Sequence, residues 1–196
     1  MKHLRLLLIA LLVPFGSARA TTVIPPTFDH LVERAQVIFE GECTHVQSQW
    51  IGEGSEHRIV TFVTFKVDDT LKGDAGTTYT MRMLGGTVDG QTMHVTDAPE
   101  FKVGDHDLLF VENNGSQFVP LVGIKHGRFK IEKNETGGEM LVTGEDEPLT
   151  DVNQLGTNEK QGIGQGRRAL SLNDFKLTVR NRVQQQSGKK VQPNVP

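Results

Sequence analysis

His94 and Asp97, with Pro99 just beyond them, are where a metal ion or an acid–base pair would be sought first in this sequence. A loop that carries an imidazole and a carboxylate a few residues apart can ligate a cation or pass a proton. The other histidines offer less. His30, His45, His57, His106 and His126 show neither HExxH spacing nor a Cys/His cluster. Asp105, His106 and Asp107 look ligand-like, but successive residues of a strand point to opposite faces. They converge only if the backbone bends, and a polar turn before a buried strand is the plainer reading.

Nucleophiles are equally hard to place. Ser48, Ser55, Ser116, Ser171 and Ser187 fall at turns, a helix cap or the tail, and none sits in a G-x-S-x-G elbow. Cys43 is the single cysteine and shares a strand face with Val37 and Phe39, so it reads as a buried, inert thiol. Gly162, Gly164 and Gly166 lack the following Lys-Ser/Thr of a phosphate loop and read as flexibility. The residues predict no catalytic set, no metal site and no cofactor. Binding features remain. Trp50 and Ile51, beside a glycine turn, either anchor a partner or fold back onto the rim of the fold. Gly85 and Gly86 break a strand, as a bulge or a close backbone approach. The candidate ligand- or partner-binding residues are therefore Trp50, Ile51, Gly85, Gly86, His94 and Asp97, carried by loops 49–56 and 84–99.

The elements that position them follow from periodicity. Thr27 can cap a short helix in which Phe28, Leu31, Val32 and Ala35 share a face. From Val37 the period becomes two, which predicts a long strand over 37–49, a turn at 52–55 and a second strand over 57–68. Val60 and Phe62 make the second strand apolar on both faces at its start, and the short helix is the natural cover. Further strands are expected over 79–84, 91–95, 108–112, 118–122, 128–132 and 140–143, with Asp89-Gly90 as a tight hairpin turn. Residues 144–168 read as a flexible polar loop, 169–184 as an amphipathic helix capped by Ser171, and 185–196 as a disordered tail. Short strands with no interleaved helices predict a mainly β fold. The specific expectation is an antiparallel OB-like β-barrel over 21–143, with a short N-terminal helix and a C-terminal amphipathic helix.

Compartment comes from the first twenty residues. Lys2 and Arg5, an apolar run over 6–15 and Ala18-Arg19-Ala20 form the tripartite pattern of a cleaved signal peptide over 1–20. The run is short for a membrane span. The expected product is periplasmic or secreted, with no stable membrane insertion after cleavage. Its formal charge of −3 becomes more negative once Lys2, Arg5 and Arg19 leave, which argues against nucleic acid as a partner. One cysteine excludes an intrachain disulfide, so packing must hold the fold. Asn114-Gly115-Ser116 and Asn134-Glu135-Thr136 are glycosylation sequons, relevant only in a glycosylating host.

Several stretches together resemble a known group. They are Leu31-Val32-Glu33-Arg34-Ala35 into Val37-Ile38-Phe39-Glu40-Gly41, Thr70-Leu71-Lys72-Gly73, the run from Leu84 to Gly90, and Phe101-Lys102-Val103-Gly104-Asp105 before Leu108-Leu109-Phe110. Their order resembles uncharacterised exported bacterial domains, some found in the company of secreted metalloproteases. In outline it is also similar to the netrin-module and tissue-metalloprotease-inhibitor type of OB barrel. That resemblance implies an exported protein, such as a peptidase, as partner. The inhibitors of that type chelate zinc through a disulfide-tied N-terminal cysteine, whereas this chain would start at Thr21 and keeps Cys43 inside a strand.

The sequence thus predicts an exported, non-catalytic binding or accessory module. The alternatives are a small exported metal-dependent hydrolase using His94, Asp97 and His106, and a peptidase inhibitor acting through the loop Gly85 to Gly90.

Overall fold

The computed structural model describes residues 25–134, 136–157 and 168–190. The expected signal peptide, the three-glycine run and the last six residues of the tail lie outside them. Helix α1 (Phe28–Arg34) starts where Thr27 Oγ1 accepts the His30 N–H, and it buries Phe28, Leu31 and Val32. Strands β1 (Val37–Ile51) and β2 (Arg58–Lys72) follow as one long antiparallel hairpin. Then come β3 (Thr78–Leu84), the short pair β4 (Gly86–Val88) and β5 (Gln91–Met93), β6 (His106–Val111), β7 (Arg128–Lys133) and β8 (Glu139–Val142). Asp89 and Gly90, with φ of 49° and 76°, form the β4–β5 turn. Two consecutive positive φ values are what the Asp-Gly pair provides.

Six strands form one antiparallel sheet in the order β3-β2-β1-β6-β7-β8, and β4-β5 form a separate two-stranded ribbon. The sheet is not a closed barrel: β3 and β8 are its two edges. The strand expected over 118–122 is not formed. Pro120 can donate no ladder bond there, and only the single Val111–Leu121 bridge survives before Gly123 and Ile124 turn at φ 64° and 61°.

Alternation in the central strands divides the interior in two. Ile38, Leu108 and Phe110 face one core, which α1 and α2 cover together with Phe129 and Leu141. Phe39, Leu109 and Val111 face the other, with Cys43, Val63, Phe65, Met81 and Phe101. This is the period-two signature of a sheet covered on both sides. The expected cover of Val60 and Phe62 by the short helix does not occur. Val60 is buried but joins neither cluster, because α1 packs over Ile38 and Leu71 instead.

Helix α2 (Leu172–Lys190) runs six residues beyond the expected end at 184. Ser171 Oγ accepts the Asp174 N–H at 3.2 Å and donates to its carboxylate at 2.7 Å, so the hydroxyl caps the helix and Asp174 orients it. Leu172, Phe175 and Val179 are buried, and Phe175 meets Phe28 edge-on at 5.9 Å. The segment expected as a flexible polar loop is docked in its described half. Leu149 N bonds Leu141 O, Leu170 N bonds Leu149 O, and a short 3-10 turn over Val152–Gln154 is closed by Asp151 and Gln154. Its apolar anchor, Leu149, is buried in the helix-side core, which the polar composition of the segment conceals.

Candidate functional site

A groove of about 370 Å³ opens beside the ribbon β4–β5, on the sheet face opposite the helices. Val46, Val63, Met83, Met93, Val95 and Phe101 supply its apolar lining. Ser48, Thr61, Thr87 and Thr92 supply hydroxyls, and His94 and Glu100 are the titratable residues among those that line it. Two hydroxyl pairs stand within it: Ser48 Oγ to Thr61 Oγ1 at 2.8 Å, and Thr87 Oγ1 to Thr92 Oγ1 at 2.9 Å. The glycine pair builds the groove. Gly85 N bonds Ile59 O at 2.8 Å while Thr61 Oγ1 donates to Gly85 O at 2.7 Å. A Cβ on Gly86 would come within 2.4 Å of Ser48 Oγ, so the break at 85–86 is a close backbone approach.

The six candidate residues divide among three places. Gly85, Gly86 and His94 share the groove. Trp50 and Ile51 sit at the tip of the β1–β2 hairpin, where the Trp50 indole stacks on the His57 ring at 4.2 Å. Trp50 thus stacks within its own hairpin and stays partly exposed. Asp97 lies outside the groove lining, on an exposed turn at φ 61°. The structure does not bring His94, Asp97 and His106 together. His106 is on β6 with its side chain toward the helix side, near Glu40 of β1. What local reading missed are Ser48, Thr61, Met83, Met93 and Phe101, drawn to the groove by strand pairing between distant segments.

Strand alternation also splits Asp105-His106-Asp107 as expected. Asp105 and Asp107 both reach Arg128: its Nε bonds Asp107 Oδ1 at 2.8 Å and its Nη2 bonds Asp105 Oδ2 at 2.7 Å. The Arg128 guanidinium also lies 4.1 Å over the Phe101 ring. Asp107 is fully buried. Burial pushes its carboxyl up, against the opposing pull of Arg128. Burial would lower the Arg128 guanidinium, but the two aspartates outweigh it and hold it protonated. Cys43 is buried, and burial with the nearby Asp105 charge raises its thiol, the opposite of an activated nucleophile.

On the helix side, Lys176 of α2 reaches down to the sheet and bonds Glu40 Oε2 and Asp69 Oδ2, both at 2.5 Å. Arg180, one turn on, bonds Asp69 at 2.8 Å. Burial alone would raise the Asp69 carboxyl, but the bonds from Lys176 and Arg180 bring it below the usual range. His106 Nε2 stands 3.2 Å from Glu40 Oε1 and 3.6 Å from Asp68 Oδ2. Among the described residues no helix is long and apolar enough to cross a membrane. Comparison of the chain with family models, with curated proteins and with solved structures finds no match.

Proposed function

We propose that this chain is an exported, non-catalytic binding module whose groove takes an extended apolar segment of a partner protein. The lining of the groove carries the reading. Methionine and valine walls adapt to varied apolar side chains, and the hydroxyls of Thr87 and Thr92 offer bonds to a backbone. His94 and Glu100 do not form a hydrogen-bonded nucleophile–base pair, which turnover would call for. The partner implied by the family resemblance is an exported protein such as a peptidase. On this reading the sheet is an open relative of the OB-like barrel, a fold that binds ligands across one sheet face and its loops.

The test immobilises the purified protein and exposes it to the exported fraction of its host, beside a Thr87→Trp variant. Thr87 is exposed on β4, so the indole fills the groove without entering the core. The expected result is a partner retained by the wild type and lost by the variant at unchanged melting temperature. Equal retention by both, or measurable hydrolysis by the wild type, overturns the proposal.

One observation favours a second reading, inhibition of a peptidase by the β4–β5 loop. Asp89 and Gly90 are exposed at a tight turn whose base is fixed by Gly85 and Gly86. A loop held rigid in this way binds with little ordering cost. Shortening the loop would then abolish inhibition of a peptidase while the melting temperature holds.

A further inference from the structure

We propose that Glu40, Asp68 and His106 form a binding site for a divalent transition-metal ion of the zinc class, distinct from the groove and on the other face of the sheet. Each residue comes from a different strand, and the order β2-β1-β6 makes those strands neighbours. One ligand atom from each side chain lies within 4.8 Å of the other two.

The separations fit an ion. Ligand atoms about 2.0–2.1 Å from zinc at tetrahedral angles stand about 3.3–3.4 Å apart. His106 Nε2 is 3.2 Å from Glu40 Oε1 and 3.6 Å from Asp68 Oδ2, one on each side of that value. The donor set of one imidazole and two carboxylates suits zinc and its neighbours rather than calcium or magnesium.

A second observation is independent of the acidic side chains. His106 Nε2 is buried and makes no hydrogen bond, although two carboxylate oxygens flank it. A buried nitrogen that faces two carboxylate oxygens without a hydrogen bond calls for a partner, and an ion seated between the three atoms supplies one.

The supporting groups point the same way. Each carboxylate gives one oxygen to a lysine and turns the other toward His106. Lys176 takes Glu40 Oε2 at 2.5 Å, and Lys66 lies 3.2 Å from Asp68 Oδ1. Such outer contacts orient metal ligands and fix which oxygen is presented. The backbone contributes as well. In the β1–β2 register Glu40 pairs with Asp69 and Gly41 with Val67, so Asp68 is the extra residue of a β-bulge. A bulge re-aims a side chain, and bulges gather beside functional sites. Gly41 admits this close approach, since a Cβ there would lie 2.5 Å from Lys66 O.

Glu40 is nearly buried, whereas Asp68 and His106 keep about a third of their side chains exposed (34% and 29%). Three protein ligands with one open side leave the fourth position to water, the arrangement of an exchangeable site. The ion would staple the three strands under the point where Lys176 docks α2.

The test titrates the full protein, stripped with a chelator, with zinc chloride by calorimetry, and repeats it with cobalt(II) for its tetrahedral absorption band. The expected result is one equivalent bound, a higher melting temperature, and loss of at least about a hundredfold in affinity in Asp68→Asn and His106→Gln. Both are partly exposed and leave the Glu40–Lys176 pair in place. Lys176→Met, which removes the outer contacts to Glu40 Oε2 and to Asp69 but no ligand atom, would weaken binding about 10- to 100-fold. His94→Gln, in the groove, would bind as the wild type does. No equivalent bound by the wild type overturns the site. So does binding that survives in both ligand variants, or that disappears in His94→Gln, and the wild-type titration decides even if a variant fails to fold.

Discussion

Ser48 and Thr61 face each other across β1 and β2 with their hydroxyl oxygens 2.8 Å apart, and Gly86 rests on both. Gly86 has φ 133°, and a Cβ there would stand 2.3 Å from Thr61 Oγ1. Two penalties therefore combine in Gly86→Ala, a backbone that L side chains rarely adopt and an overlap with packed hydroxyls. Their sum is about 2–4 kcal/mol. A urea titration should show that loss. Gly90→Ala, at φ 76° with open space around it, should cost only the backbone part, about 1 kcal/mol. Equal losses would mean that the hydroxyl pair does not set the requirement for glycine.

Arg128 predicts a second asymmetry. It is almost fully buried between Asp107, which is inaccessible, and Asp105, which is partly exposed. Arg128→Met leaves Asp107 as a buried carboxylate without its partner, a loss of about 3–5 kcal/mol. Asp105→Asn removes one charge from the solvent side and keeps Arg128 paired with Asp107. That change should cost about 1 kcal/mol or less. Denaturant midpoints of the two variants check the ratio, and comparable midpoints would contradict the pairing described.

Local pattern made much of this fold legible and left the sites mostly hidden, for a physical reason. Thr27 and Ser171 announce their helices because capping is satisfied within three residues. Phe39, Cys43, Val63 and Phe65 announce a core face because alternation is a property of one strand. Asp89-Gly90 announces its turn in the same way. The groove is different: Val46, Met83 and Phe101 meet only through pairing of three distant segments. Glu40, Asp68 and His106 are hidden more deeply, since the bulge at Asp68 is a register shift that no run of residue types displays. The expected strand over 118–122 failed at a signal that was present, Pro120. Leu149 holds its segment against the core from within a polar stretch, where composition outweighed one apolar side chain.

His126 should give the protein a measurable acid sensitivity. It lines a small cavity with Pro26, Phe129 and Glu145, and burial lowers its imidazole below the usual value, as Lys125 does; Glu145 and Asp97 pull it back up. The folded state then binds a proton less readily than the unfolded chain. Stability contributed by the neutral ring is full above the unfolded value of about 6.5 and is lost as pH falls toward the lower folded value. Stability measured by urea from about pH 7 to about pH 5 should fall more steeply for the wild type than for His126→Gln. Identical slopes would remove His126 from the account.

The free edge of β3 carries the last prediction. Asn114 lies beside that edge and uses its side-chain amide as a strand would use its backbone. Its Oδ1 accepts the Arg82 N–H at 3.0 Å, and its Nδ2 donates to Thr80 O at 2.8 Å. Farther along, Leu84 N donates to Phe118 O at 2.7 Å, so the 113–118 segment covers the edge without forming a strand. Edges left open are templates for pairing with another chain. Asn114→Ala should cost only about 1–2 kcal/mol, because water can take the released groups. Its larger effect should be on association, with dimers or higher species in light scattering at concentrations where the wild type is monodisperse. Adding a charge on the same edge, as in Thr80→Lys with Asn114→Ala, should restore the wild-type profile, since an edge lysine opposes strand pairing. An Asn114→Ala protein that scatters as the wild type does would show that the backbone bond at Phe118 guards the edge by itself.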